Sequence, residues 1–397
     1  MLKRGCGNVF LSLVLSILLH DPVLWGSVGS RFLPLARALS RRGHRVKLLC
    51  FGAEGIDRTS IIQESKNLSI LVLPLPRTLF FKDLVWLLHK LPYFIKSLKG
   101  CDIIHAGTFW SPHIGITDAI GKYPYGKRLV VEMVDLFGFG WFMHHTALQI
   151  INERIADHIV VLSEPLAKWC MNRGVPPSKI TLIPAIVDLN RIKGFQRNHA
   201  RSLLGLPINR VMLGYESGGF VTDSIIELLL ASFKNVLNII PAATLAFIGD
   251  FKRYNALDRI RQHLKYYKDI KDNVIFSGKV SDNELSLWLS ACDVLLLPQE
   301  DSPPERARIP GRFGDYLAVG RPTVTTDVGD VARIVSKESC GLVARAGDVA
   351  DFSNKVLTLL RDNDLITKMG NKAKDAAPKY SWGNLVRVYE KIYSELC

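Results

Sequence analysis

Ala291–Asp330 reads ACDVLLLPQEDSPPERARIPGRFGDYLAVGRPTVTTDVGD. The apolar run Val294 to Leu297 has the length and composition of a buried strand. It leads into a polar loop that delivers a short helix beginning near Gly311. Arg308 and Arg312 stand where that helix starts, and Asp315 lies one turn in. A helix start offers unpaired N–H groups and a partial positive charge, so it suits an anion. Two guanidiniums beside it match diphosphate oxygens with their forked donors. An acidic side chain one turn on can accept hydrogen bonds from sugar hydroxyls. This combination fits a nucleotide sugar.

The same strand-then-helix alternation extends in both directions. Apolar runs predict strands at Val14–Leu19, Val46–Phe51, Ile70–Leu73, Ile103–His105, Leu129–Val134, Ile159–Leu162 and Ile180–Ile183. A polar, basic stretch follows, and the alternation restarts at Val211–Tyr215, Leu245–Ile248, Val274–Phe276, Val294–Leu297, Thr323–Thr325 and Gly341–Val343. Short apolar runs separated by helices imply parallel sheets covered on both faces. The expected division is a domain at 1–189, a linker at 190–203, a second domain at 204–379 and an amphipathic helix at 380–397.

Three stretches resemble one family. Phe313-Gly314-Asp315-Tyr316-Leu317-Ala318-Val319-Gly320-Arg321-Pro322 is similar to the "EAMAxGxPVV" segment of glycosyltransferase family 4. Ala156-Asp157-His158-Ile159-Val160-Val161-Leu162-Ser163-Glu164 resembles that family's "AD-I-V-S" strand. Gly174-Val175-Pro176-Pro177-Ser178-Lys179-Ile180, with Ile183-Pro184 and Val187-Asp188, resembles its "GVPxxKIxVIPNGVD" segment. The resemblance implies an α/β protein of GT-B architecture, two Rossmann-like domains facing each other across a cleft. It also implies that the terminal helix crosses back to the first domain. The implied activity is retaining transfer of a sugar from a nucleotide diphosphate sugar to a glycan or lipid-linked acceptor, with no metal or other cofactor.

Site residues follow from the resemblance one by one. The Asp315 position holds the donor ribose, and the alternative is a structural pair with Arg312. An earlier acid contacts the sugar; Ala307 stands at that place, with Glu305 two residues upstream. Pro303, Pro304 and Pro310 redirect the loop, so Glu305 either takes the role or is a solvated carboxylate. The family's basic pair on the loop opening the second domain is replaced by Gly219 and Ser224. Gly218 and Gly219 either let that backbone approach a ligand closely or serve a plain turn. Arg308 and Arg312, with the helix start at Gly311, then supply the missing charge, unless they form surface salt bridges. Gly26 and Gly29 lie in the loop after the first strand, where the family approaches donor phosphate and acceptor. Val134 replaces the family's histidine, leaving Asp135 to orient donor or acceptor, or to cap a turn. His105 and His113 flank a further loop at a strand end.

Composition narrows the partners. The chain has 397 residues, 48% of them hydrophobic, and a formal charge of +14. No nucleic-acid-binding motif accompanies the charge, so nucleic acid is not an expected partner. Phosphorylated donors and an anionic membrane surface reward spread basic residues better. Seven cysteines without a CxxC pair indicate buried thiols in a reducing compartment. Lys3 and Arg4 precede an apolar run that superficially resembles a signal peptide, yet the run is too short to span a bilayer. The expected location is cytoplasmic, peripheral on the inner face of the membrane. FFKDLVWLLHKLPYFIKSLK, residues 80–99, pairs a broad apolar surface with a polar stripe of Lys82, His89, Lys96, Asp83, Lys90 and Ser97. That pattern suits either a lipid interface or buried core helices. The aromatic loop Phe137, Phe139, Trp141 and Phe142 suits sugar stacking or lipid contact. A competing reading is a catalytically degenerate GT-B protein that binds nucleotide sugars as a regulatory module, given Gly219, Ser224 and Val134.

Overall fold

The structure is a computed structural model describing residues 14–23, 29–52, 58–74, 82–107, 112–136 and 153–397. Gly26, Phe80 and the aromatic loop from Phe137 to Phe142 lie outside the described residues. Contacts divide the chain into two compact units. One comprises 1–132, 142–159 and 386–397, the other 133–141 and 160–385.

Fourteen strands are described. The first eight are β1 (Ser16–Val23), β2 (Arg45–Phe51), β3 (Ser60–Ser65), β4 (Leu68–Leu73), β5 (Ile103–Gly107), β6 (Arg128–Met133), β7 (His158–Val161) and β8 (Ile180–Leu182). They form a sheet in the order β3-β4-β2-β1-β5-β6-β7-β8. β1 lies parallel to both β2 and β5, and its Ile17, Leu18 and Leu19 are sealed from solvent. Burial on both faces explains why such strands read as unbroken apolar runs. β3 was not expected. It is an antiparallel edge strand, exposed at every residue, and so carries no buried period to read.

The second sheet holds β9 (Met212–Glu216), β10 (Thr244–Ile248), β11 (Val274–Phe276), β12 (Val294–Leu297), β13 (Thr323–Thr326) and β14 (Gly341–Ala344). Its order is β11-β10-β9-β12-β13-β14, and each neighbouring pair is parallel. The strand order therefore reverses between β9 and β12. In open parallel sheets that switch point, at the carboxyl ends of the strands, opens a ligand crevice.

Two expectations about flanking segments change. The stretch expected as a linker, 190–203, contains the helix Arg197–Leu203 and groups with residues 160–385. Its Arg201 is wholly buried and pairs with Asp293 at 2.9 Å, so the segment is packed structure. Two residues of the polar stripe expected along 80–99 also turn inward. In helix Lys82–Leu98, Lys90 and Ser97 are buried, with the Lys90 ammonium 5.8 Å from the Phe51 ring. Leu84, Val85, Leu88, Pro92 and Lys96 take the exposed side instead. Leu84, Leu88, Pro92 and Lys96 recur every four residues, the spacing that keeps one helical face.

In the first unit a buried polar network ties helix Trp382–Leu396 to the sheet. Arg31 Nε donates to Glu132 at 2.8 Å, Tyr389 OH donates to the same oxygen at 3.0 Å, and His105 Nε2 lies 3.1 Å from the other oxygen. His105 Nδ1 is 2.6 Å from Tyr393 OH. His105 is thus a core residue rather than a loop-end ligand. Burial alone would raise the Glu132 carboxyl, but Arg31 and His105 outweigh it and hold it at about 2. Each of the six described cysteines carries a free thiol, and five are buried.

Candidate functional site

The switch point of the second sheet is held open by one side chain. The recorded ladder between β9 and β12 reaches Gly214 and Leu295. Beyond it, Tyr316 reaches in from helix Gly311–Val319. Its hydroxyl accepts from the Glu216 N–H at 3.0 Å and donates to the Leu296 carbonyl at 3.2 Å. A phenol thus satisfies two strand-end groups that no longer reach each other. The helix is seated equally firmly on its other side. A Cβ on Gly314 would stand 2.0 Å from the Ile186 carbonyl oxygen, so no larger residue fits there.

Charged residues crowd this crevice. Arg312 Nη1 donates to the Glu216 carbonyl at 2.6 Å and to Tyr215 OH at 3.2 Å, with the guanidinium 5.2 Å from the Tyr215 ring centre. Asp315 is buried and paired with Arg191, not with Arg312. Arg191 also reaches Asp282 at 2.9 Å. Glu216 Oε2 is sealed from solvent and accepts no hydrogen bond. Burial first, and then the charge of Asp315, push the Glu216 carboxyl up to about 7 against the pull of Arg312 and Arg191. Burial likewise raises Asp315 to about 6, although Arg191 opposes it. At neutral pH the two acids resist being charged together.

Immediately after β12 lies a second group of polar side chains. Gln299 is 3% exposed, and its amide nitrogen donates to the Glu305 carbonyl at 3.0 Å and the Glu305 carboxylate at 3.3 Å. Glu305 sits on the short helix Pro303–Ala307 and pairs with Arg308 through its other oxygen. Gln299 Oε1 and Arg308 Nε are both buried without a hydrogen-bond partner. The helix beginning at Gly311 follows, and no side chain caps it. Glu305, Arg308, Gly311, Arg312 and Asp315 are thus brought around one strand end. Arg312 Nη1 is committed to protein oxygens, and Arg308 Nε is left uncommitted.

The glycine loop after β9 serves the chain itself. Gly219 has φ +100°, and a Cβ there would stand 2.5 Å from the Asp250 carbonyl oxygen, so its close approach is to backbone. Gly218 faces open space. Ser224, at one of the two replaced basic positions, hydrogen-bonds Glu300. Gly29 opens helix Gly29–Arg41, and Asp135 is half-buried in the bend after β6. Tyr215, Glu216, Arg191, Gln299 and Tyr316 were not singled out from the sequence. Glu216 and Gln299 were legible in principle, because one ends an apolar strand and the other stands two residues past one, where parallel sheets place ligands.

The pattern described as Glycosyltransferase Family 4 matches residues 28–191, and that described as Glycosyl transferases group 1 matches residues 218–362. The chain belongs to the group 1 glycosyltransferases. Among curated relatives, this group 1 glycosyltransferase is 24% identical over 179 residues to an uncharacterized glycosyltransferase of Methanocaldococcus jannaschii, spanning 45% of this chain and 47% of that one. It is 26% identical over 160 residues to sulfoquinovosyl transferase SQD2 of Arabidopsis thaliana, spanning 40% of this chain and 29% of that one. Both matches thus span less than half of the relative's length. A longer match, 23% identical, covers 74% of this chain and 70% of D-inositol 3-phosphate glycosyltransferase 2 of Catenulispora acidiphila. Among solved structures, sucrose-phosphate synthase of Thermosynechococcus elongatus aligns with TM-score 0.78 at 18% identity, covering 96% of this chain and 99% of that one. HepE of Anabaena, solved in complex with UDP and glucose, aligns with TM-score 0.74 at 16% identity, covering 96% and 100%. At these identities the likeness speaks for the fold alone: two parallel-sheet α/β domains of the GT-B class.

Proposed function

We propose that the protein is a retaining glycosyltransferase that moves a sugar from a nucleotide diphosphate sugar to a glycan or lipid-linked acceptor, with no resident metal. The observation that carries this reading is the crevice between β9 and β12. There an uncapped helix start faces phosphate chemistry, while Arg308, Gln299, Glu216 and Asp315 offer partners for hydroxyls. In the reaction, the bond from the anomeric carbon to phosphate breaks and a bond to the acceptor oxygen forms on the same face. The acceptor proton passes to the departing phosphate. Positioning and charge stabilisation dominate such a step, so no strong protein base is required. The helix start at Gly311 binds the diphosphate, Arg308 meets the donor through its uncommitted Nε, and Asp315 takes the ribose when Arg191 yields. Asp135 orients donor or acceptor.

We assign the protein to the cytoplasm, with an anionic membrane surface as a partner. Support comes from the net charge of +14 and from the exposed Leu84, Val85 and Leu88 beside Lys96 on helix Lys82–Leu98. Among the described residues no helix is long and apolar enough to cross a membrane.

Calorimetry with UDP, GDP and ADP, followed by release of nucleotide from the matching sugar donor, tests the central reading. Selective binding of one nucleotide, and acceptor-dependent release that persists in EDTA, are expected. Binding without transfer to any acceptor would leave a nucleotide-sugar-binding module, and absence of binding would sink the reading.

A further inference from the structure

We propose that Gln299 reads a hydroxyl of the transferred sugar, and that Glu305 is the strut that holds Gln299 rather than the sugar ligand itself. The inference rests on the glycosyltransferase reading and assigns the part of its site that meets the sugar.

The argument starts from how an amide can hydrogen-bond. A glutamine side chain has two N–H donors and one carbonyl acceptor. Here the amide nitrogen faces two oxygens of Glu305, its carbonyl at 3.0 Å and its carboxylate at 3.3 Å. Turning the amide over would set oxygen against both, so its orientation is determined. The main chain is fixed as well: the Gln299 N–H donates to Thr326 Oγ1 at 2.8 Å, and the same hydroxyl donates back to the Gln299 carbonyl at 2.8 Å. What remains is Oε1, an acceptor sealed from water and without a donor. A buried polar atom left unpaired costs free energy, so its persistence calls for a partner absent from the bare chain.

The neighbours define that partner. Glu305 uses one carboxylate oxygen for Gln299 and the other for Arg308, so both are engaged. Arg308 Nε, on the far side of the same carboxylate, is buried and lacks an acceptor. One side therefore needs a donor and the other an acceptor. A hydroxyl is both at once, and adjacent sugar hydroxyls supply the pair. An anion would satisfy Arg308 but would meet Gln299 Oε1 oxygen to oxygen. A cation would have the opposite fault. The carboxylate between them is already neutralised by Arg308, which suits a neutral sugar. The start of helix Gly311–Val319 lies three residues beyond Arg308, where the phosphate of the same donor is expected.

Binding measurements on Q299L test this, since leucine keeps the bulk and removes both amide functions. Among UDP, GDP and ADP and their glucose and mannose derivatives, the pair that binds the wild type best is used. Q299L should bind the nucleotide sugar about tenfold more weakly or worse, while the free nucleotide stays within about twofold. Donors lacking one sugar hydroxyl add a second readout. Wild type should discriminate against one of them, and Q299L should not. Equal binding of the nucleotide sugar by Q299L and wild type would overturn the proposal, leaving a trapped water as the partner of Oε1. Parallel loss of free nucleotide would overturn it too, because Gln299 would then be merely structural. If the wild type binds neither nucleotide nor nucleotide sugar, the glycosyltransferase reading fails first and takes this inference with it.

Discussion

Two glutamates show how environment decides the work of one side chain. Glu132 meets Arg31 and His105, and its carboxyl is held at about 2 despite burial. Glu216 is half-buried with its Oε2 sealed from solvent beside Asp315, and that burial, with the Asp315 charge, sets its carboxyl at about 7. The sign of the pH dependence therefore differs. A carboxyl depressed on folding stabilises above its unfolded pKa, and that contribution is lost as pH falls through the folded value. Glu132 thus adds stability above the ordinary carboxylate range, and the chain forfeits it on acidification toward pH 2. A raised carboxyl does the reverse: the folded state holds a proton the unfolded state has lost, so Glu216 costs stability as pH rises from the ordinary range through neutrality. E216Q should raise the melting midpoint at pH 8 by several degrees and leave it nearly unchanged at pH 4, checked by thermal melts at both pH values. A midpoint at pH 8 equal to that of the wild type would refute the buried-acid account. R191A should cost about 1–2 kcal/mol in denaturant titrations. That is less than for a fully buried pair, because the Arg191 side chain is 34% exposed.

Among the elements, helix Gly311–Val319 matters most, because it carries Arg312, Asp315 and the Tyr316 phenol together. Y316F keeps the ring and removes the hydroxyl, stranding the Glu216 N–H and the Leu296 carbonyl at the end of β12. A loss of about 1–3 kcal/mol is expected in denaturant unfolding, with weaker nucleotide binding. This helix and its strands were readable as sequence, since apolar runs, prolines and the glycine at position 320 mark them. Its partners were not. Arg191 and Asp315 lie 124 residues apart, and no local pattern couples them. A local i,i−3 rule pointed to Arg312, which instead finds oxygens of β9. β3 escaped for a different reason: with both faces wet, it has no apolar rhythm. Helix Lys82–Leu98 shows that spacing by sevens does not by itself define an outer face. Burial of Lys90 against Phe51 turns Leu84 and Leu88 outward. L84E/L88E should reduce binding to anionic liposomes several-fold in sedimentation. Equal binding would remove the helix from any membrane contact.

For the whole molecule, the division into two units places the final helix on both accounts: residues up to Leu385 group with the second unit and Val386–Cys397 with the first. Tyr389 and Tyr393 lock its later part to Glu132 and His105. E132A would take the Glu132 carboxylate away from the buried Arg31, a loss of about 3–5 kcal/mol. Thermal melts should show it as a large drop in midpoint at neutral pH that shrinks on acidification. The net charge and the alternation of strands with helices announced a basic, two-domain α/β chain at once. The strut of Glu305 and the phenol of Tyr316 became visible only when distant segments met.

The seating of Gly314 against Ile186 also bears on how donor preference could be re-engineered or could drift. With a carbonyl oxygen 2.0 Å from where a Cβ would stand, position 314 admits nothing larger than glycine, so this face of the helix has no room for a new side chain. New preferences must instead come from side chains that face away from this contact, since the buried Gln299, Ala307 and Ile309 hold the segment ahead of the helix in place as well. Variants that carry a bulkier residue into position 314 should therefore fail to express as folded protein, checked by soluble yield.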